Sequence, residues 1–196
     1  MLLEAGHEVT GLDTDHFRDC TFVSELSDLP HIYRDVRDVT IDDVSGFDAI
    51  IHLAALSNDP LGDYDPSLTE SINEKASIRI AELAKQAGVS RFLFASSCSN
   101  YGAAGQHFMT EDSPLDPITP YGVSKVAVEK ALGPMADESF CPVYLRASTA
   151  YGVSPRLRFD LVLNNLTAWA VTTGKVLLKS DGTPWRPVVH VDDICL

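Results

Sequence analysis

Three apolar runs of strand length constrain this chain more than any other feature. Arg91-Phe92-Leu93-Phe94-Ala95-Ser96-Ser97 ends abruptly in small hydroxyl residues, Phe47-Asp48-Ala49-Ile50-Ile51-His52-Leu53-Ala54-Ala55 ends in small ones, and Pro142 to Ser148 forms a third. Continuous apolar runs of this length suit strands buried on both faces of a parallel sheet. Between the first two lies a long helical pattern from Pro66 to Gly88, with Ile72, Ala76, Ile80, Leu83 and Ala87 on one face. Strands alternating with helices predict an α/β fold with a doubly wound parallel sheet.

Open α/β sheets bind ligands at the carboxyl ends of their strands, so the serine cluster after Phe94 is well placed to meet a substrate hydroxyl, and Ser97 is the residue chosen. Serines in such a loop also satisfy their own backbone. About two dozen residues on, Tyr121-Gly122-Val123-Ser124-Lys125 puts a phenol and an ammonium four apart in a helical stretch, hence on one face. A neighbouring ammonium favours the charged form of a phenol, which makes Tyr121 a candidate base supported by Lys125. The same spacing also suits a plain surface pair.

The Ser97 loop ending in Tyr101-Gly102, followed by Tyr121-x-x-x-Lys125, resembles the extended short-chain dehydrogenase/reductase family, specifically the NAD-dependent epimerases and dehydratases of nucleotide sugars. The resemblance implies a Rossmann-type fold, NAD as cofactor and a nucleotide sugar as substrate. It makes Tyr121 the base, Lys125 the group that lowers its pKa and holds the nicotinamide ribose, and Ser97 the partner of the reacting hydroxyl. By the same likeness Asp13, closing a strand over Glu8 to Leu12, meets the adenosine ribose, where its charge favours NAD over NADP. Asp35 and Val36 flank the adenine, and Leu53, Ala54 and Ala55 form a signature beside the cofactor. Asn73 supports the site, and Asn164 and Arg186 reach the substrate's phosphates or base. His52 alone reads better as a core histidine bonded to backbone. Ser57 to Gly62 reads as a polar turn, and Phe159 to Thr173 as a helix with Asn164 and Asn165 near its middle.

The dinucleotide fingerprint, a first strand and a glycine-rich turn, is not found ahead of Asp13, where Met1 to Ala5 reads as the last turn of a helix capped by Gly6. Losing two or three hydrogen bonds to a charged group weakens cofactor binding by about two orders of magnitude or more. The chain is therefore expected to be a fragment, lacking the first strand and the glycine-rich loop and stopping early in the substrate lobe. Residues 1–150 are read as a partial NAD-binding domain and 151–196 as the start of the substrate lobe. The enzymatic reading is an epimerase that transiently oxidises a sugar hydroxyl, for example at C4. A ketoreductase, a dehydratase or a non-catalytic remnant are the alternatives. Dehydratases acting at C5-C6 place Asp-Glu after the serine or threonine, and this chain has Cys98-Ser99 there.

Composition excludes other classes. The formal charge of the 196 residues is −13, which argues against nucleic acid as a partner. Residues 1–140 carry a balance of −15 and residues 141–196 one of +2, a basic end that could steer a small anion. No apolar stretch reaches the length of a membrane span and the first residues do not form a signal peptide, so a cytoplasmic protein is expected, with a homodimer allowed. Cys20, Cys98, Cys141 and Cys195 lack metal-ligand spacing; no metal site is expected, and the thiols are expected reduced and mostly buried.

Overall fold

The computed structural model describes residues 1–22, 29–57, 59–103, 108–178, 180–183 and 185–196. The chain divides into two compact units, one of Leu12–Thr14 and Ile32–Arg146, the other of Met1–Gly11, Asp15–His31 and Ala147–Leu196.

The larger unit holds the main sheet. β1 (Gly11–Asp13) pairs with β2 (His31–Tyr33), and β3 (Ala49–His52), β4 (Arg91–Ser97) and β5 (Cys141–Ala147) form a second sheet in that order. β3 and β4 run parallel, with Ile50 opposite Phe92 and His52 opposite Phe94. β1 is shorter and later than the predicted Glu8–Leu12 strand and ends on Asp13. Val36, in a tight turn over Val36–Asp38, packs on the core, as does Leu12. α1 (Ile41–Val44) comes next, its entry fixed by Thr40 and Asp43, which bond to each other's backbone and side chains.

The stretch predicted as a turn over Ser57 to Gly62 is instead largely helical: α2 runs Asp59–Tyr64, and Asn58 lies outside the described residues. The long helix is continuous but not uniform. α3 (Pro66–Thr69), capped by Asp65, passes into a π-helical segment (Glu70–Ala76) and then α4 (Ser77–Gln86). A π turn inserts extra chain per turn and rotates the helix beyond it. The buried face is Asn73, Ala76, Ser77, Ile80, Ala81 and Ala84; of the expected stripe, Ala76 and Ile80 are buried in it, Leu83 and Ala87 pack partly buried against the core, and Ile72 is half-buried.

α5 (Pro120–Leu132) opens with Thr119 as cap, whose hydroxyl accepts from Gly122 N–H at 3.2 Å, and with proline at its first position. The core joins Val39, Val44, Ile80, Phe92, Phe94, Val128, Leu132 and Phe140, all buried. β5 is not buried on both faces as expected: Val143 and Leu145 are exposed while the alternate residues are half-buried.

In the smaller unit a turn over residues 2–6 is closed by Gly6 and His7 N–H donating to the Leu3 and Leu2 carbonyls. β6 (Thr149–Tyr151) pairs in parallel with β7 (Val188–His190), α6 covers Val162–Thr173, and α7 covers Val191–Cys195. Cys20, Cys141 and Cys195 are exposed and Cys98 half-buried, so the thiols are not mostly buried. Among the described residues no helix is long and apolar enough to cross a membrane, and no cluster suits a metal ion.

Candidate active site

Ser97 is the last residue of β4, and the chain leaves it through a tight turn over Cys98–Tyr101. Its hydroxyl accepts from Ser99 N–H at 3.1 Å and donates to the Ser99 hydroxyl at 3.1 Å. Gly102 closes the turn at φ +61°, where a Cβ would overlap the Asp116 carbonyl oxygen. The turn also seats the start of α5. A Cβ on Gly122 would lie 3.1 Å from the Ser99 carbonyl, so a bare backbone at 122 lets the residue beside Tyr121 meet the turn that carries Ser97.

Lys125 lies one helical turn beyond Tyr121 and is 1 % exposed. Its Nζ stands 4.5 Å from the centre of the Phe94 ring and 5.4 Å from that of Tyr121. Among the described residues no carboxylate pairs with it, and burial pushes its pKa down to about 8. Ring faces are partners of a buried ammonium, worth about 2 kcal/mol when desolvated.

His52, at the end of β3, stacks on Phe94 at 6.1 Å and 17°. It is a buried core histidine, as expected, yet its partner is a side chain, not backbone: Nε2 lies 2.8 Å from the Ser77 hydroxyl. Ser77 spends its single proton on the Asn73 carbonyl at 2.7 Å, so His52 is the donor and carries its proton on Nε2. Burial, and then the Lys125 charge, push its pKa down to about 4, leaving it neutral. Asn73, fully buried, accepts from Leu56 N–H at 2.7 Å and donates to the Leu56 carbonyl at 2.9 Å. That double bond fixes the end of the Leu53, Ala54, Ala55 segment, in which Leu53 is exposed and the alanines half-exposed.

Asp13 is exposed at the end of β1. The Asp35 carboxylate caps the Val36–Asp38 turn and takes both Nε and Nη2 of Arg37, at 3.0 and 2.7 Å. In the smaller unit Asn164 sits near the start of α6, not its middle, accepting from Gly152 N–H at 3.3 Å and donating to the Arg158 carbonyl at 3.0 Å. It lines an apolar hollow of about 440 Å³ with Tyr151, Phe159 and Leu163. Asn165 donates to the Phe159 carbonyl. Arg186 is exposed in an irregular stretch.

Sequence reasoning passed over Ser77 and Glu129. Glu129 is visible as the next step of the Tyr121, Lys125 spacing, one further turn along α5. Ser77 carries no such signal, because a small hydroxyl residue in a helix is equally at home on a solvated face.

Residues 1–196 match the family model of the NAD dependent epimerase/dehydratase family over their whole length, and the chain belongs to that family. The UDP-glucose 4-epimerase of Neisseria meningitidis serogroup A is 30% identical over 98% of this chain and 65% of its own. Among solved structures, the NAD-dependent NDP-hexosamine 5,6-dehydratase TunA superposes with a TM-score of 0.86 at 27% identity, covering 98% of this chain and 63% of that one. MoeE5, solved with UDP-glucose and NAD, gives 0.82 at 32% identity, covering 98% and 62%. The chain thus spans somewhat under two thirds of the length of these relatives, and its sheet is the Rossmann type that they share.

Proposed function

We propose that the chain binds NAD and acts on a nucleotide sugar by epimerase-type chemistry, oxidising a sugar hydroxyl transiently, as at C4. The observation that carries this reading is Lys125, an ammonium buried to 1 % exposure without a carboxylate partner among the described residues, set against the Tyr121 ring. An unpaired buried cation is costly unless a polar or anionic group completes it. A tyrosinate and a ribose hydroxyl are such groups, so these residues fit the nicotinamide end of NAD. Lys125 and Tyr121 would hold that end, with the Leu53 to Ala55 segment fixed beside it by Asn73 and with Asp13, Asp35 and Val36 at the adenosine end.

NAD, when bound, supplies the acceptor for the pair of electrons that leaves the sugar carbon. Tyr121, as the phenolate that Lys125 stabilises, would take the hydroxyl proton and become the neutral phenol. Ser97, its lone pair already engaged by Ser99 N–H, turns its own proton from Ser99 to the sugar oxygen and fixes its direction. Asn164 serves a phosphate or the base, and Arg186 the diphosphate. In this reading residues 1–150 serve the cofactor and 151–196 begin the substrate lobe. The relatives that act on UDP-glucose support the substrate class.

A dehydratase is the second reading, supported by the likeness to TunA. Against the C5-C6 type stands the turn itself, where Cys98 and Ser99 occupy the places of the Asp-Glu acid and base. A cytoplasmic protein able to pair with a second copy belongs to the same proposal; light scattering on the purified chain reads the pairing.

Calorimetric titration with NAD tests the reading. Micromolar binding that disappears in Tyr121→Phe/Lys125→Ala supports it. No heat up to millimolar NAD, in a sample with a cooperative unfolding transition, leaves the chain a non-catalytic remnant.

A further inference from the structure

Tyr121, Lys125 and Glu129 succeed one another at four-residue steps on α5, so Glu129 lies in the same inward row as the two groups assigned to the chemistry. It is 7 % exposed, and its carboxylate is surrounded by donors. Oε1 accepts from the Ser96 hydroxyl at 2.5 Å, from Asn100 Nδ2 at 2.9 Å and from Arg146 Nε at 3.0 Å. Oε2 accepts from Arg146 Nη2 at 2.6 Å. A buried ion pair between α5 and β5 needs Arg146 alone. The two further donors come from either side of Ser97: Ser96 precedes it on β4, and Asn100 sits in the turn after it. Because side chains alternate along a strand, the contact that draws Ser96 toward Glu129 turns Ser97 the opposite way.

Arg146 extends the same cluster. Its Nη1 donates to the Tyr101 hydroxyl at 2.8 Å and to the Glu111 carbonyl at 2.9 Å, tying down the connection that leads from the Ser97 turn toward Thr119 and α5. A planar fork of five donors can hold a carboxylate and two further acceptors together, whereas an ammonium cannot.

We propose that Glu129, held by Arg146, is a positioning residue that fixes the Ser97 turn against the helix carrying Tyr121. This rests on the reading of Ser97 and Tyr121 as the groups that meet the sugar hydroxyl. Glu129 touches neither reactant; it acts through Ser96 and Asn100.

Hydrogen exchange of the full chain tests it, with mass spectrometry on peptides covering 96–103 and 108–118. Glu129→Gln is compared with Val44→Ala, a core truncation that lowers global stability without touching the cluster, under denaturant conditions that match their stabilities. Both peptides should exchange about tenfold faster or more in Glu129→Gln than in the matched control, with α4 equal in the two. Arg146→Lys should release 108–118 and leave 96–103 protected. Equal exchange of 96–103 in Glu129→Gln and the control overturns the proposal. If Glu129→Gln does not fold, Glu129→Leu/Arg146→Leu removes both charges together and is judged by the same criterion. Calorimetry of the unmodified chain with NAD is run alongside. Its failure removes the catalytic reading, while the exchange result still decides whether Glu129 sets the turn.

Discussion

Lys125 carries a local cost that the candidate site imposes. Burial lowers its pKa from 10.5 to about 8, a difference of about 3 kcal/mol against the charged form at neutral pH. The Phe94 face returns about 2 kcal/mol of this at most. Lys125→Met keeps the apolar stem and removes the charge, so it should raise stability by about 1 to 3 kcal/mol at pH 7 while removing the NAD binding proposed for the chain. The sign of the pH dependence is set by a folded pKa below the unfolded one. The penalty is complete below about 8 and fades as pH rises to 10.5, so the advantage of methionine should shrink over that interval. Urea unfolding of both proteins across this range decides it, and a wild type more stable than the variant at pH 7 would show that the buried charge is compensated. His52 works at the other end of the scale. Its pKa falls from 6.5 to about 4, so the unfolded chain takes up a proton first as pH drops. The stability tied to neutral His52, about 3 kcal/mol, is present above 6.5 and is lost between 6.5 and 4. His52→Gln, which does not titrate, should lose less stability between those limits; parallel acid-unfolding curves for the two proteins would refute this.

Two glycines hold the elements of the candidate site together, and they should behave differently. Gly102→Ala drives a methyl into the Asp116 backbone carbonyl at positive φ, so the turn has to move and about 2 kcal/mol or more should be lost. Gly122→Ala meets the Ser99 carbonyl and the Pro117 side chain at 3.1 Å, a contact relieved by a few tenths of an ångström. The helix propensity of alanine offsets that strain by about 1 kcal/mol, so stability should hold nearly constant while NAD-dependent turnover falls with the displaced Tyr121. Chemical denaturation of the pair, with turnover measured on Gly122→Ala, checks both; equal destabilisation would mean that the turn yields as easily as the helix. β4 and α5 were legible in the sequence because local chemistry and tertiary role agree there: an apolar run stops at Ser96, and proline and threonine start the helix of Tyr121. The helix from Pro66 was legible as an element and partly in its buried face, where Ala76, Ile80, Leu83 and Ala87 meet the core, while the polar Ser77 in the same face gave no apolar signal to read. The strand expected at Glu8 was displaced to Gly11–Asp13, because a three-residue edge pairing gives too little pattern to set its ends. Glu129 stayed hidden for another reason. A carboxylate one turn beyond a lysine looks like a surface residue until Arg146, 17 positions on, is seen to be its partner.

Across the whole molecule the charge of −13 sets a self-repulsion that no single pair removes. Residues 1–140 alone carry −15, offset by +2 in the rest, so compaction of this part works against its own field. Salt shortens the reach of that field from about 30 Å at 0.01 M to about 8 Å at 0.15 M. The thermal midpoint should therefore rise over this interval at pH 7.5. At pH 5, close to the isoelectric point near 4.7, the net charge is small and the same salt should have much less effect. Acidification also acts the other way, because relief of repulsion competes with the stability lost as the unfolded chain protonates the counterpart of His52. Scanning calorimetry at the two pH values and two salt concentrations separates these contributions, since salt screens the diffuse repulsion and leaves a buried imidazole almost untouched. A rise with salt at pH 5 as large as that at pH 7.5 would show that the net charge is not the source of the sensitivity.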